Sequence, residues 1–324
     1  TLPLWSPELF MGVPLLANTQ LGTFYPPNWL TIPLDAPQAI KIQIVIHTVW
    51  SGLGMYHLAR REARLVPFAA LIAAVLFAFS GHIGAHVEQI NQLQGLSWMP
   101  WLFLFLVLAR LHPARYLPLM GVAWALQLLS GHTQTVFITG VGLGVFALVD
   151  VVSTQTPIRS RLVALTLIAV AAMIAVILAL PQLIPAQELA SLSNRGDGLN
   201  AQEATAFSWN PALVARGLLP SYDAQPFAEY IVYFGVIGMG LVLVGAFSAV
   251  KRRTRVAFVV LVVVGLVFAL GRYTPIYLAL ANLPGFNLFR VPSRWLVLVA
   301  LGGAMLAGIG AQALLRRGFR LNRL

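Results

Sequence analysis

The densest polar run in the chain is His82, His86 and Glu88, followed by Gln89, Asn91, Gln92 and Gln94. A four-residue spacing places His82 and His86 on one face of a helix. Such a pair suits a divalent cation, with Glu88 or His132 as a further ligand. It equally suits the polar lining of a binding site or a hydrogen-bonded helix interface, and the glutamate of a metalloprotease signature is missing beside it. Fifty residues on, Ser130-Gly131-His132-Thr133-Gln134 echoes Ser80-Gly81-His82, as an internal duplication or chance would produce. Arg272, Arg290 and Arg294 form a second group. The planar fork of a guanidinium fits phosphate or carboxylate oxygens, so these arginines suit a lipid phosphate or diphosphate, against the plainer alternative of headgroup and acid pairing.

Two further segments carry candidate ligand groups. Glu8, Asn18, Gln20 and Tyr25 lie on a stretch that Pro3, Pro7, Gly12, Pro14, Gly22, Pro26 and Pro27 keep from being continuous helix. It is either a cap over the bundle or a wall of a substrate site. Glu188, seven residues before Arg195 at the end of a proline-kinked apolar run, is either half of a solvated ion pair or a site acid. His47 sits inside an apolar run, where an ionisable group is a functional candidate or a hydrogen-bonded partner of a neighbouring helix. Gly140, Gly142 and Gly144 have no preceding strand and read as helix packing.

The elements that must position these groups are membrane helices. Apolar residues make up 59% of the 324 and charged residues 10%, with mean hydropathy +0.81; soluble domains carry about 25% charged residues. A soluble globule is excluded. Cysteine is absent, which removes disulfides, thiolate metal sites and cysteine nucleophiles. Apolar runs at 38–58, 67–84, 96–111, 116–131, 133–152, 162–184, 229–250, 255–272 and 294–314 give nine spans.

Charge orients them. Fifteen of the 21 basic residues fall in alternate connectors, around Arg60, Arg110, Arg159, Lys251 and after Arg316, while eight of the ten acids fall in the opposite ones. Basic residues are retained on the cytoplasmic side, so the net charge of +11 is a topological signal and nucleic acid is not expected as a partner. The expectation is one all-α polytopic bundle. Residues 1–37 form an outer loop, and 38–324 form the transmembrane domain with outer loops near 82–95, 185–228 and 273–293. Trp5, Trp29, Trp98, Trp101, Trp209 and Trp295 would form an interfacial belt.

The motifs Pro3-Leu4-Trp5-Ser6-Pro7, Gly12-Val13-Pro14, Phe24-Tyr25-Pro26, Ser80-Gly81-His82, Ser130-Gly131-His132-Thr133-Gln134, Tyr233-Phe234-Gly235, Leu270-Gly271-Arg272-Tyr273-Thr274-Pro275, Leu283-Pro284-Gly285-Phe286 and Phe289-Arg290-Val291-Pro292-Ser293-Arg294 occur in this order. The ordered set resembles the bacterial YfhO-like membrane proteins, which look like members of the C-type (GT-C) membrane glycosyltransferases. The resemblance implies a protein of the bacterial inner membrane, with its C-terminus cytoplasmic, that transfers sugar from a polyprenyl-phosphate carrier at the outer face. It also implies that the catalytic aspartate lies in the first outer loop after a first helix. Thr1 opens the chain without that helix, so the expected base lies upstream, with Glu8 its substitute here.

On this reading Asn18, Gln20, Tyr25, His82, His86, Glu88, Gln92, His132, Gln134 and Glu188 bind substrate, and Arg272, Arg290 and Arg294 bind the lipid phosphate. No organic cofactor is implied, and a divalent cation stays open. Partners are membrane lipids, the lipid-linked donor and other membrane subunits. The alternative is a non-enzymatic or transporter-like subunit that binds lipids or partner helices.

Overall fold

A computed structural model describes residues 4–8, 11–153, 158–193, 198–219, 227–249, 252–283 and 285–321. Nine long helices run through them: α1 Ala36–Arg61, α2 Pro67–Ala78, α3 Ile90–Ala109, α4 Pro113–Leu129, α5 Thr133–Ser153, α6 Ile158–Ser191, α7 Gly235–Phe247, α8 Arg252–Ala269 and α9 Leu296–Leu321. Among the described residues the sheet is a single two-residue antiparallel pair, Trp5–Ser6 with Val13–Pro14. The starts follow from local chemistry. Asp35 accepts the Gln38 N–H to cap α1, and Pro67 and Pro113 occupy the first turns of α2 and α4, where the missing N–H costs nothing.

Five described segments are long and apolar enough to cross a membrane: Pro67–Ala85, Ile90–Ala109, Leu162–Ser191, Ala228–Phe247 and Pro292–Arg316. Apolar side chains face outward, as Ile42, Val45, Ile46, Val49 and Leu53 do on α1, which water would penalise and lipid does not. The segment containing most of α9 is 94% buried, and α9 packs against α2, α7 and α8. Small residues permit this. A Cβ on Gly245 of α7 would fall 1.8 Å from the Leu306 carbonyl oxygen, and one on Gly310 of α9 would fall 2.2 Å from that of Leu241. Such backbone approach holds helices together where no hydrophobic driving force acts between them.

Two sequence expectations shift. Helix α3 begins at Ile90 instead of in the mid-90s, so the amides of 91–94 are helical. Gln94 is buried because its amide donates to Asn28 Oδ1 at 2.6 Å and Gln43 Oε1 at 3.3 Å. The tryptophan belt is restricted to Trp5 and Trp29, which are exposed. Trp98 donates to Tyr25 Oη, Trp101 donates to the Trp50 carbonyl, and Trp209 and Trp295 are buried. An indole that finds a partner or an aromatic cluster inside the bundle has no need of the interface.

The segment before α1 is tied down by polar groups. Trp98 Nε1–H donates to Tyr25 Oη, Tyr25 O–H to His47 Nε2, and His47 Nδ1–H to the Gln43 carbonyl, each at 2.8 Å. His47 is therefore fully satisfied. Gln182 on α6 donates to the Leu16 carbonyl. Gly131, between α4 and α5, has φ +95°, and a Cβ there would lie 2.0 Å from the Thr19 carbonyl oxygen. The second Ser-Gly-His therefore needs its glycine so that the 19–21 turn can close over it.

Candidate functional site

At the end of the bundle where α3, α5 and α9 begin, a buried charged cluster forms around Glu229. This residue lies in the turn Ala228–Tyr230 ahead of α7 and is 1% exposed. Its Oε2 accepts from His86 Nε2 at 2.8 Å, and its Oε1 accepts from Arg294 Nε and lies 2.8 Å from Nη2. Arg294 Nη1 donates to Gln134 Oε1 at 2.7 Å. The Gln134 amide in turn donates to the Arg290 carbonyl at 2.8 Å and the Val291 carbonyl at 3.3 Å. His86 Nδ1 faces the His82 carbonyl at 2.6 Å. Both nitrogens of the His86 ring thus face oxygens. The unit is a carboxylate held between a histidine and an arginine.

His82 packs behind it, with ring centroids 4.5 Å apart. Its Nδ1 meets the Ile231 carbonyl, and its buried Nε2 has no partner among the described residues. The first Ser-Gly-His differs from the second in backbone. Ser80 caps the short helix Gly81–Ala85, and Gly81 donates to the Tyr233 carbonyl. The two motifs converge in space nonetheless, because His82 and His132 both lie in electrostatic range of Glu229 and Arg294.

A cavity of about 530 Å³ opens beside the cluster. Its polar walls are Gln20, Gln89, Asn91, His132, Thr133, Gln134, Glu229, Arg290 and Arg294, and its apolar rim includes Phe207, Phe227 and Phe289. The start of α5 faces it, and helix N-termini attract anions. His132 directly precedes α5. Its Nδ1 accepts the Thr135 N–H at 3.3 Å and lies 2.6 Å from Thr135 Oγ1, which leaves the ring proton on Nε2. Among the described residues that Nε2–H has no protein partner, on a side chain only 9% exposed that lines the cavity. Arg290, exposed at the same cavity, likewise has no side-chain partner among them.

Burial, and then the Arg294 charge, push the His132 pKa down to about 3. The unfolded ring titrates near 6.5, so the native state binds fewer protons between these values. The stability that His132 contributes is complete above about pH 6.5 and is lost as the pH falls toward 3. Nitrogen-15 spectra of labelled histidine are expected to show His132 as the neutral Nε2–H form from pH 5 to 8. A midpoint near 6.5 would contradict the assignment.

The residues singled out in the sequence divide. Gln20, His132, Gln134, Arg290 and Arg294 line the cavity, and His86 reaches it through Glu229. The others lie elsewhere. Glu8, Glu88 and Glu188 are exposed and outside it. Asn18 caps the 19–21 turn, Tyr25 is fully buried against His47, and Gln92 is buried with an unpartnered Oε1 among the described residues. Arg272 donates to the Thr205 carbonyl from Nε and Nη2, because the chain turns there onto the 201–205 segment. Arg195, the suggested partner of Glu188, lies outside the described residues. No group of three histidines or acids arranged for a metal occurs among them, and both His86 nitrogens are committed.

Glu229 was missed as a site residue, although its neighbours held a signal. It lies in Phe227-Ala228-Glu229-Tyr230-Ile231-Val232, immediately before an apolar span. A carboxylate carried into such surroundings requires a cation. Phe207 had no comparable signal.

Helices of this length, with lipid-compatible outer faces around a buried ionic cluster, define an all-α integral membrane protein. Residues 30–322 match the 6-pyruvoyl-tetrahydropterin synthase related domain, described as a membrane protein, and the chain belongs to that family. No curated protein and no solved structure matches it.

Proposed function

We propose that the chain is a membrane glycosyltransferase of the polyprenyl-phosphate-dependent kind, as its resemblance to YfhO-like and GT-C proteins implies, and that the cavity receives the phosphate of the donor. The observation that carries this reading is the Arg290 guanidinium, without a side-chain partner among the described residues, in the same cavity as the His132 Nε2–H and the start of α5. Three kinds of donor thus share one cavity. Glu229, the one acid among the described lining residues, already has one oxygen on His86 and the other on Arg294. The balance of charge is positive, and a phosphate oxygen bridging Arg290 and His132 would complete both groups. In a nine-span topology with the arginine-rich connectors inside, the cavity lies at the non-cytoplasmic surface. Arg290 and His132 then stabilise the phosphate as the sugar–phosphate bond breaks and the sugar passes to the acceptor. Glu229 holds Arg294 in place and is not the general base.

The test is binding of radiolabelled polyprenyl-phosphate hexose to the protein in lipid nanodiscs. Arg290→Ala is expected to weaken binding at least about tenfold, the worth of one charge-assisted hydrogen bond, with the unfolding temperature unchanged. Undiminished binding by this variant would remove the phosphate site. Absence of donor binding by the wild type, with stable association to other membrane chains, would favour a non-enzymatic subunit.

A further inference from the structure

The geometry points to a sugar-ring platform in this cavity, built from Phe207 and Phe227, with the amides of Gln20 and Gln89 in the same lining; the inference rests on the glycosyl-phosphate reading above and names where the sugar lies. Phe207 and Phe227 are 48% and 46% exposed, and their rings lie nearly parallel at 28° with centroids 5.4 Å apart. Tyr230 supports Phe227 edge-on at 5.2 Å. The two rings stack on each other, and each keeps about half its surface open at the polar cavity mouth, beside Leu199, Leu288 and Phe289. A pyranose ring presents a face of axial C–H groups that packs on an aromatic face, while its hydroxyls point to the rim and seek amides. The Gln20 and Gln89 side chains line the cavity and make no hydrogen bond to protein among the described residues.

Backbone strain marks the same rim. Phe207 has φ +58° and Val291 φ +69°, a region that bulky and β-branched residues rarely adopt. The two positions are joined through one hydrogen bond, Val291 N–H to the Ala206 carbonyl at 3.1 Å. That bond ties the segment of Phe207 to the one that carries Arg290.

Phe227→Leu keeps the apolar bulk and removes the aromatic face; Phe227→Tyr keeps the face. In nanodiscs, with hexose 1-phosphates and methyl phosphate as soluble probes followed by saturation-transfer NMR, Phe227→Leu is expected to lose hexose 1-phosphate affinity by roughly five- to tenfold. Methyl phosphate affinity should not change, and Phe227→Tyr should bind both as the wild type does. Equal loss for both probes, or loss for neither, overturns the platform. If hexose 1-phosphates bind with this dependence while polyprenyl-phosphate hexose does not bind, the platform stands and the lipid-carrier reading falls. If the lipid-linked donor binds without regard to Phe227, the carrier reading stands and the platform falls. If nothing binds, both fall.

Discussion

Glu229→Leu is expected to destabilise the protein by about 3 kcal/mol, the lower part of the range for breaking a buried ion pair. The carboxylate is 1% exposed, and Arg294 and His86 would lose their shared acceptor together. Arg294 is 20% exposed and recovers some hydration, which keeps the figure low. His86 is fully buried and has no such outlet. Glu229→Gln separates charge from shape. Its amide oxygen still accepts from Arg294, while its NH2 group faces His86 Nε2. A smaller loss is expected. Thermal unfolding in detergent gives both quantities. A Glu229→Leu variant that unfolds with the wild type would show that the cluster contributes nothing to the fold.

The sequence carried the helices because a membrane span is a local property. Twenty apolar residues need no distant partner to be recognised, and alternation of charge between connectors needs only order along the chain. What converges at the helix ends is a different kind of information. His86 meets Glu229 across 143 positions, Gln94 meets Asn28 across 66, and Gln134 meets the Arg290 carbonyl across 156. Periodicity along one helix says nothing about which groups face each other. The polar run 91–94 read as part of an outer loop near 82–95, yet it is helical, and the buried Gln94 finds its partners in the distant amides of Asn28 and Gln43. His86 was legible as a candidate from its spacing to His82, but its role follows from an acid that composition placed simply among the outer ones. Arg272, Arg290 and Arg294 were grouped in the sequence by charge alone. Their separation into one bound to a backbone carbonyl, one free in the cavity and one locked in an ion pair depends on tertiary contacts that spacing does not encode.

That separation predicts opposite outcomes for one chemical change. Arg294→Lys is expected to cost about 2–3 kcal/mol of stability, on the scale of lost charge-assisted hydrogen bonds, whereas Arg290→Lys should leave unfolding unchanged. Arg294 works in two directions at once, with Nε and Nη2 toward Glu229 Oε1 and Nη1 toward Gln134 Oε1. A lysine ammonium is a single point on a flexible stem and cannot span both acceptors. Losing the second contact releases Gln134, whose amide also holds the carbonyls of Arg290 and strained Val291. The damage should therefore reach Arg290 through the backbone, weakening phosphate binding in Arg294→Lys without any change to the residue that touches the ligand. Arg290→Lys keeps a cation at the cavity and loses only the fork, so its affinity should fall less than that of Arg290→Ala. Thermal unfolding and phosphate-probe titration of the two lysine variants resolve the matter. Equal unfolding temperatures would mean that the Glu229–Arg294–Gln134 chain does not act as one unit.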